Sequence, residues 1–103
     1  MLRIHTNKRL QTTHEELPTV ALVGARDWRS FMKRLLQGKA TIIAELESGN
    51  RVHLLDELMP ELIIIDVQSS NVNPFEAVAQ AKQLFPQPEI VLLGADEPAA
   101  VAA

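Results

Sequence analysis

The chain has no cysteine, which excludes disulfides, thiolate metal sites and a cysteine nucleophile, and which fits a reducing compartment. No apolar run is long enough to span a bilayer, and the amino terminus lacks the apolar core of a signal peptide. A cytoplasmic domain is therefore the expectation. An excess of positive charge is missing too. A formal net charge of -3 and a pI ≈ 5.5 give no electrostatic reason to expect nucleic acid or an anionic membrane as partner. Repeats, low-complexity tracts and a Gly-x-x-x-x-Gly-Lys phosphate loop are all absent. His5 and His14 have no further ligands at metal-site spacing, and no nucleophile–base pair can be assembled. The expectation is a chain that is not an enzyme and carries no cofactor or metal.

What is present is one domain of 103 residues, 47% hydrophobic. Its organising stretch is Glu61-Leu62-Ile63-Ile64-Ile65-Asp66-Val67, an unbroken apolar run that predicts a strand buried on both faces. Pro60 separates it from what precedes, and the polar loop Gln68-Ser69-Ser70-Asn71 follows. Thr19–Val23, Thr41–Leu46 and Glu89–Leu93 predict three more strands. Between the first two, Asp27 is a candidate N-cap for a helix whose apolar stripe is Trp28, Phe31, Met32, Leu35 and Leu36, with Gly38 as its C′ residue. A short helix over Arg51–Met59 is expected to use Val52, Leu55 and Met59 as its inner face. Pro74 opens another, with Phe75, Val78, Ala79, Ala81, Leu84 and Phe85 as its apolar positions. Asp96 to Ala103 reads as the opening of one more helix. Residues 1–18 read as a leader or as an extra edge strand over Leu2–Thr6. Strands alternating with helices through short links imply right-handed crossovers and a parallel α/β sheet covered on both faces.

Over residues 19–103 these segments resemble the receiver domain of bacterial two-component response regulators. The likeness is carried by Ala44-Glu45-Leu46-Glu47-Ser48-Gly49 through Leu55, by Pro60 to Val67, by Asn73-Pro74-Phe75-Glu76-Ala77 and by Pro88 to Leu93. It is nearest to receivers of regulators with a helix-turn-helix output domain. The resemblance implies a flavodoxin-like three-layer sandwich with strand order 2-1-3-4, the fifth strand and last helix missing, and Asp66 at the phosphoacceptor position. It also implies a Mg²⁺ site built from that aspartate and paired acids after the first strand.

Here those paired positions are Gly24 and Ala25, and the position of the hydroxyl that reads phosphate is Gly94. Mg²⁺ is held through oxygen ligands, so Asp66 alone should bind it poorly, with Arg26 a candidate to approach Asp66 in its place. The expectation is a degenerate, phosphorylation-independent pseudo-receiver. It would be a non-catalytic signalling and interaction module, as a self-associating chain or the amino-terminal domain of a larger regulator or pilus-assembly ATPase. In that reading Asp66 either caps the turn that follows it or places its charge at a helix amino terminus. The alternative is a phosphorylatable receiver using Asp66. Without a fifth strand, Ile90, Val91, Leu92 and Leu93 form an apolar edge that invites pairing with a protein partner or a second copy, a homodimer being the first expectation.

Overall fold

The computed structural model describes residues 16–94, so the expected leader strand and the final helix lie outside the described residues. Within them the chain runs β1 (Thr19–Val23), α1 (Arg26–Leu35), β2 (Thr41–Leu46), a 3₁₀ helix (Gly49–Glu57), β3 (Leu62–Asp66), α2 (Pro74–Ala81) and β4 (Glu89–Leu93). All strand pairs are parallel, in the order β2-β1-β3-β4 expected from the sequence.

Side chains of a strand alternate between faces, and the two apolar clusters follow that alternation. Ala21, Val23, Ile63 and Ile65 point to one face, where Val52, Leu55, Val72, Ala77, Ala81 and Leu84 cover them from the 3₁₀ helix, the β3–α2 loop, α2 and the turn after it. Val20, Leu22, Leu62 and Ile64 point to the other, under Met32 and Leu36 of α1 and its neighbouring turn. The result is a three-layer sandwich in which β1 and β3 are buried throughout, save the first residue of β1. The edge strands β2 and β4 are only partly covered.

The helices depart from the sequence expectation in instructive ways. Ala25, not Asp27, is the N-cap of α1, in extended conformation and without a side-chain cap; Asp27 lies in the first turn, where its charge favours the helix dipole. The stripe that reaches the sheet is Trp28, Met32 and Leu36, spaced by four. Phe31 and Leu35, one position before Met32 and Leu36, swing to the flank and stay 52% and 47% exposed. The helix caps at Leu36, so Gly38, with φ +78, falls one place beyond C′.

The segment expected as Arg51–Met59 is a 3₁₀ helix shifted to Gly49–Glu57. Its three-residue period buries Val52 and Leu55, but Met59 leaves the helix with φ +49 and is exposed. In α2, Asn73 Oδ1 accepts from the backbone N–H groups of Phe75 and Glu76, with Pro74 in the first turn. There the small residues Ala77 and Ala81 pack inward, while Phe75 and Phe85 point to water.

The two edges differ. Between Val20 and Ala21 the β1–β2 register shifts, so that Ile43 is an extra residue on β2, a bulge. Glu45 on the same strand is exposed and meets Arg29 and Lys33 of α1, each at 3.0 Å. β4 has no bulge in its pairing with β3, and Ile90 to Leu93 carry no charge. Among the described residues β3 is its one strand neighbour.

Candidate functional site

Asp66 ends β3 at the carboxyl pole of the sheet, beside the ends of β1 and β4. It is only 7% exposed. Its Oδ1 accepts from the backbone N–H of Gln68 at 3.0 Å, which closes the turn leading out of the strand. Val67 N–H donates to Leu93 C=O at 2.9 Å and carries the β3–β4 pairing one step past Asp66. Ser69 is buried next in the chain, and its Oγ has no hydrogen-bond partner among the described residues.

Gly24 follows β1 on one side of this carboxylate. A β-carbon built there would lie 2.6 Å from the Trp28 ring and 2.8 Å from Asp66 Cβ, closer than real Cβ atoms come. Its backbone is engaged as well: its N–H donates to Leu46 C=O at 2.8 Å, and its C=O accepts from Arg29 Nε at 3.0 Å. Gly94 stands on the opposite side with φ +101, and a β-carbon there would meet Asp66 Oδ1 at 2.8 Å. The two glycines thus let the backbone close around Asp66 where side chains would otherwise stand.

Ala25 and Arg26 are exposed. The expected approach of Arg26 to Asp66 is not made, since no ion pair joins them among the described residues. Arg26 opens α1 two positions before Trp28, on the outer side of the helix.

A Mg²⁺ centre of the receiver type does not fit these residues. Gly24 and Ala25 supply no side-chain oxygen, one oxygen of Asp66 already accepts from Gln68, and no cluster of three His, Cys, Asp or Glu among the described residues could hold a metal ion. The open cleft of this pole lies to the side, about 770 Å³, lined by residues that include Arg29, Glu45, Glu47, Ser48, Asn50 and Arg51; Asp66 does not line it.

Two features of the pole are not in the sequence reading. Trp28 is seated over Gly24, and the expectation of Trp28 as a core aromatic of the stripe omits this contact. Arg29 ties Gly24 C=O to Glu45 and, at 3.7 Å, to Glu47. The signal for the second is present in the sequence: Arg29 and Lys33 are four apart on one helix flank, and Glu45 near the end of β2 is followed two residues on by Glu47, just past the strand.

Compared by sequence, the chain matches no family model and no curated protein. Compared by structure, it is similar to a two-component response regulator of the LuxR family from Aurantimonas sp. SI85-9A1, at 19% identity and a TM-score of 0.71, over 84% of this chain and 65% of that one. It is also similar to the signal receiver domain of the response regulator NarL from Mycobacterium tuberculosis, at 22% identity and a TM-score of 0.68, over 84% of this chain and 74% of that one. The chain therefore spans somewhat less than two thirds of the first neighbour's length. At these identities the likeness is one of fold: the parallel 2-1-3-4 sheet and its helices are the flavodoxin-like fold of response-regulator receiver domains.

Proposed function

We propose that this chain is a phosphorylation-independent pseudo-receiver, a non-catalytic signalling module that acts by protein contact. One observation carries the reading. The position after β1 where a working receiver keeps an acid is a glycine wedged between Trp28 and Asp66, with no room for even a β-carbon. A carboxylate there would force the Trp28 ring and Asp66 to shift. Without a bound cation, an anionic phosphoryl donor approaching Asp66 meets uncompensated negative charge.

The contact surface in this reading is the outer edge of β4. Ile90, Val91, Leu92 and Leu93 lie there partly buried, with Glu89 at the start of the strand its one charge and no register shift against β3, and among the described residues they are in a position to take an added strand from a protein partner or from another copy. Both solved neighbours are described as response regulators, which supports a signalling role, and a place as one domain of a larger cytoplasmic regulator is consistent with it.

Incubation with acetyl phosphate and Mg²⁺, followed by intact-mass measurement of the chain and of Asp66→Ala, tests the proposal. No mass gain in either is expected. Gain of one phosphoryl group by the parent chain but not by Asp66→Ala establishes the phosphorylatable receiver instead.

A further inference from the structure

The open cleft of the carboxyl pole, about 770 Å³, stands at the β2 margin, across the sheet from β4. Three segments line it: α1 through Arg29, the end of β2 running through Glu47 into the 3₁₀ helix, and the β3–α2 loop through Asn71. Leu46 is the one apolar residue in the lining, and no aromatic ring takes part. A ligand suited to it is small and polar, held by charge and hydrogen bonds rather than by stacking or apolar burial.

The unfilled groups of the cleft are mainly donors. Arg51 is exposed and in no ion pair among the described residues. Arg29 commits its Nε to Gly24 C=O and its Nη1 to Glu45, but its Nη2 lies 3.7 Å from Glu47, outside hydrogen-bond reach. Two carboxylates also line the cleft. Glu45 is met by both Arg29 and Lys33, each at 3.0 Å, so its charge is already compensated. Glu47 is the competitor for an incoming anion, and its side chain is 65% exposed, with solvent to turn into. The guanidinium fork matches the oxygens of a phosphate group. The 3₁₀ helix also begins here, at Gly49, and its positive end favours negative charge.

We infer that this cleft binds a small polar molecule through a phosphate group, held by Arg29 Nη2 and Arg51 with the Asn71 amide beside them, Glu47 giving way. Asp66 does not line the cleft, so the inference stands whether or not Asp66 accepts phosphate.

Calorimetric titration and amide NMR of the full chain at low ionic strength are the test, with inorganic phosphate, pyrophosphate, glycerol phosphate and glycerol as probes. Saturable binding of phosphate-bearing probes is expected, with shifts at Ser48 to Arg51, at Asn71 and at Arg29 Nε, and none with glycerol. Arg51→Gln should weaken binding roughly tenfold, as for loss of a charge-assisted hydrogen bond. Glu47→Gln should tighten it about threefold, because it removes the competitor for Arg29. Both positions are exposed, and circular dichroism checks that the fold is kept. Tighter binding of glycerol phosphate than of the inorganic ions supports an organic phosphate, and the reverse order supports an inorganic one. No saturation by any phosphate-bearing probe overturns the inference. So does binding that is indifferent to Arg51→Gln, weakened by Glu47→Gln, or lost in Asp66→Ala instead.

Discussion

At the carboxyl end of the sheet, Gly24, Gly94 and the Asp66 carboxylate pack so closely that a single added carbon finds no space. At the amino end, Leu58, Met59 and Phe85 stand largely in water. Receiver-type folds are ordinarily discussed from the first of these ends, because open α/β sheets place ligands beyond the carboxyl ends of their strands. Here the carboxylate itself is closed in and the open cleft of that end lies to its side, while several large apolar side chains stand in water at the opposite end. The contrast teaches that a shared scaffold does not fix where its activity lies, since function resides in sites carried by a fold.

The contrast can be broken most forcefully at Gly24. Gly24→Asp places both a β-carbon and a charge between the Trp28 ring and Asp66. A loss of about 3 kcal/mol is expected, seen as a fall in Tm on the order of 15 °C for a domain of this size. A variant that melts like the parent and binds Mg²⁺ would show that the carboxyl end is looser than its packing indicates. Asp66 gives a smaller effect. Asp66→Ala removes the acceptor for Gln68 N–H and should cost about 1 kcal/mol, whereas Asp66→Asn keeps an oxygen there and should stay within about 0.5 kcal/mol. Chemical denaturation of the pair separates a turn-capping role from one that needs the carboxylate itself. At the amino end the expected effect on folding is smallest: Phe85→Asp should change the stability of the monomer by less than about 0.5 kcal/mol, because the ring is already in solvent. A large loss there would mean that the Phe85 ring packs against the folded chain rather than standing in water.

Much of the framework is legible in the sequence because burial on both faces leaves a plain mark. Leu62 to Ile65 have no polar break, and each of these side chains, once inside, contributes about 1.5–3 kcal/mol of burial. That outweighs the fraction of a kcal/mol by which helix and strand propensities differ. Helix faces are less legible. In α1, five apolar residues fit an amphipathic stripe, and only the four-residue spacing of Trp28, Met32 and Leu36 meets the sheet. Around α2 the aromatics Phe75, in its first turn, and Phe85, beyond its end, look inward by hydropathy, but close approach to the 3₁₀ helix and sheet selects the small Ala77 and Ala81. The 3₁₀ winding itself has no sequence period that separates it from an α-helix over nine residues.

For the site, the missing acids are readable as Gly24 and Ala25. The reason no acid fits is not, because it arises from a ring four residues along and a strand end forty-two residues away meeting at one point. The Gln80 side chain makes the same point on the other layer: its Oε1 accepts from His53 N–H at 2.9 Å and its Nε2 donates to Asn50 C=O at 3.3 Å. That clasp joins segments whose adjacency only the folded chain reveals.

The bulge at Ile43 has a consequence for assembly size. Hydrogen-bonded sheets can lengthen sideways without limit when both margins accept a neighbour, which is how ordered aggregates propagate. Here β2 carries the register shift at Ile43 and the ion pairs of Glu45 to Arg29 and Lys33, so among the described residues it is the margin less suited to an added strand.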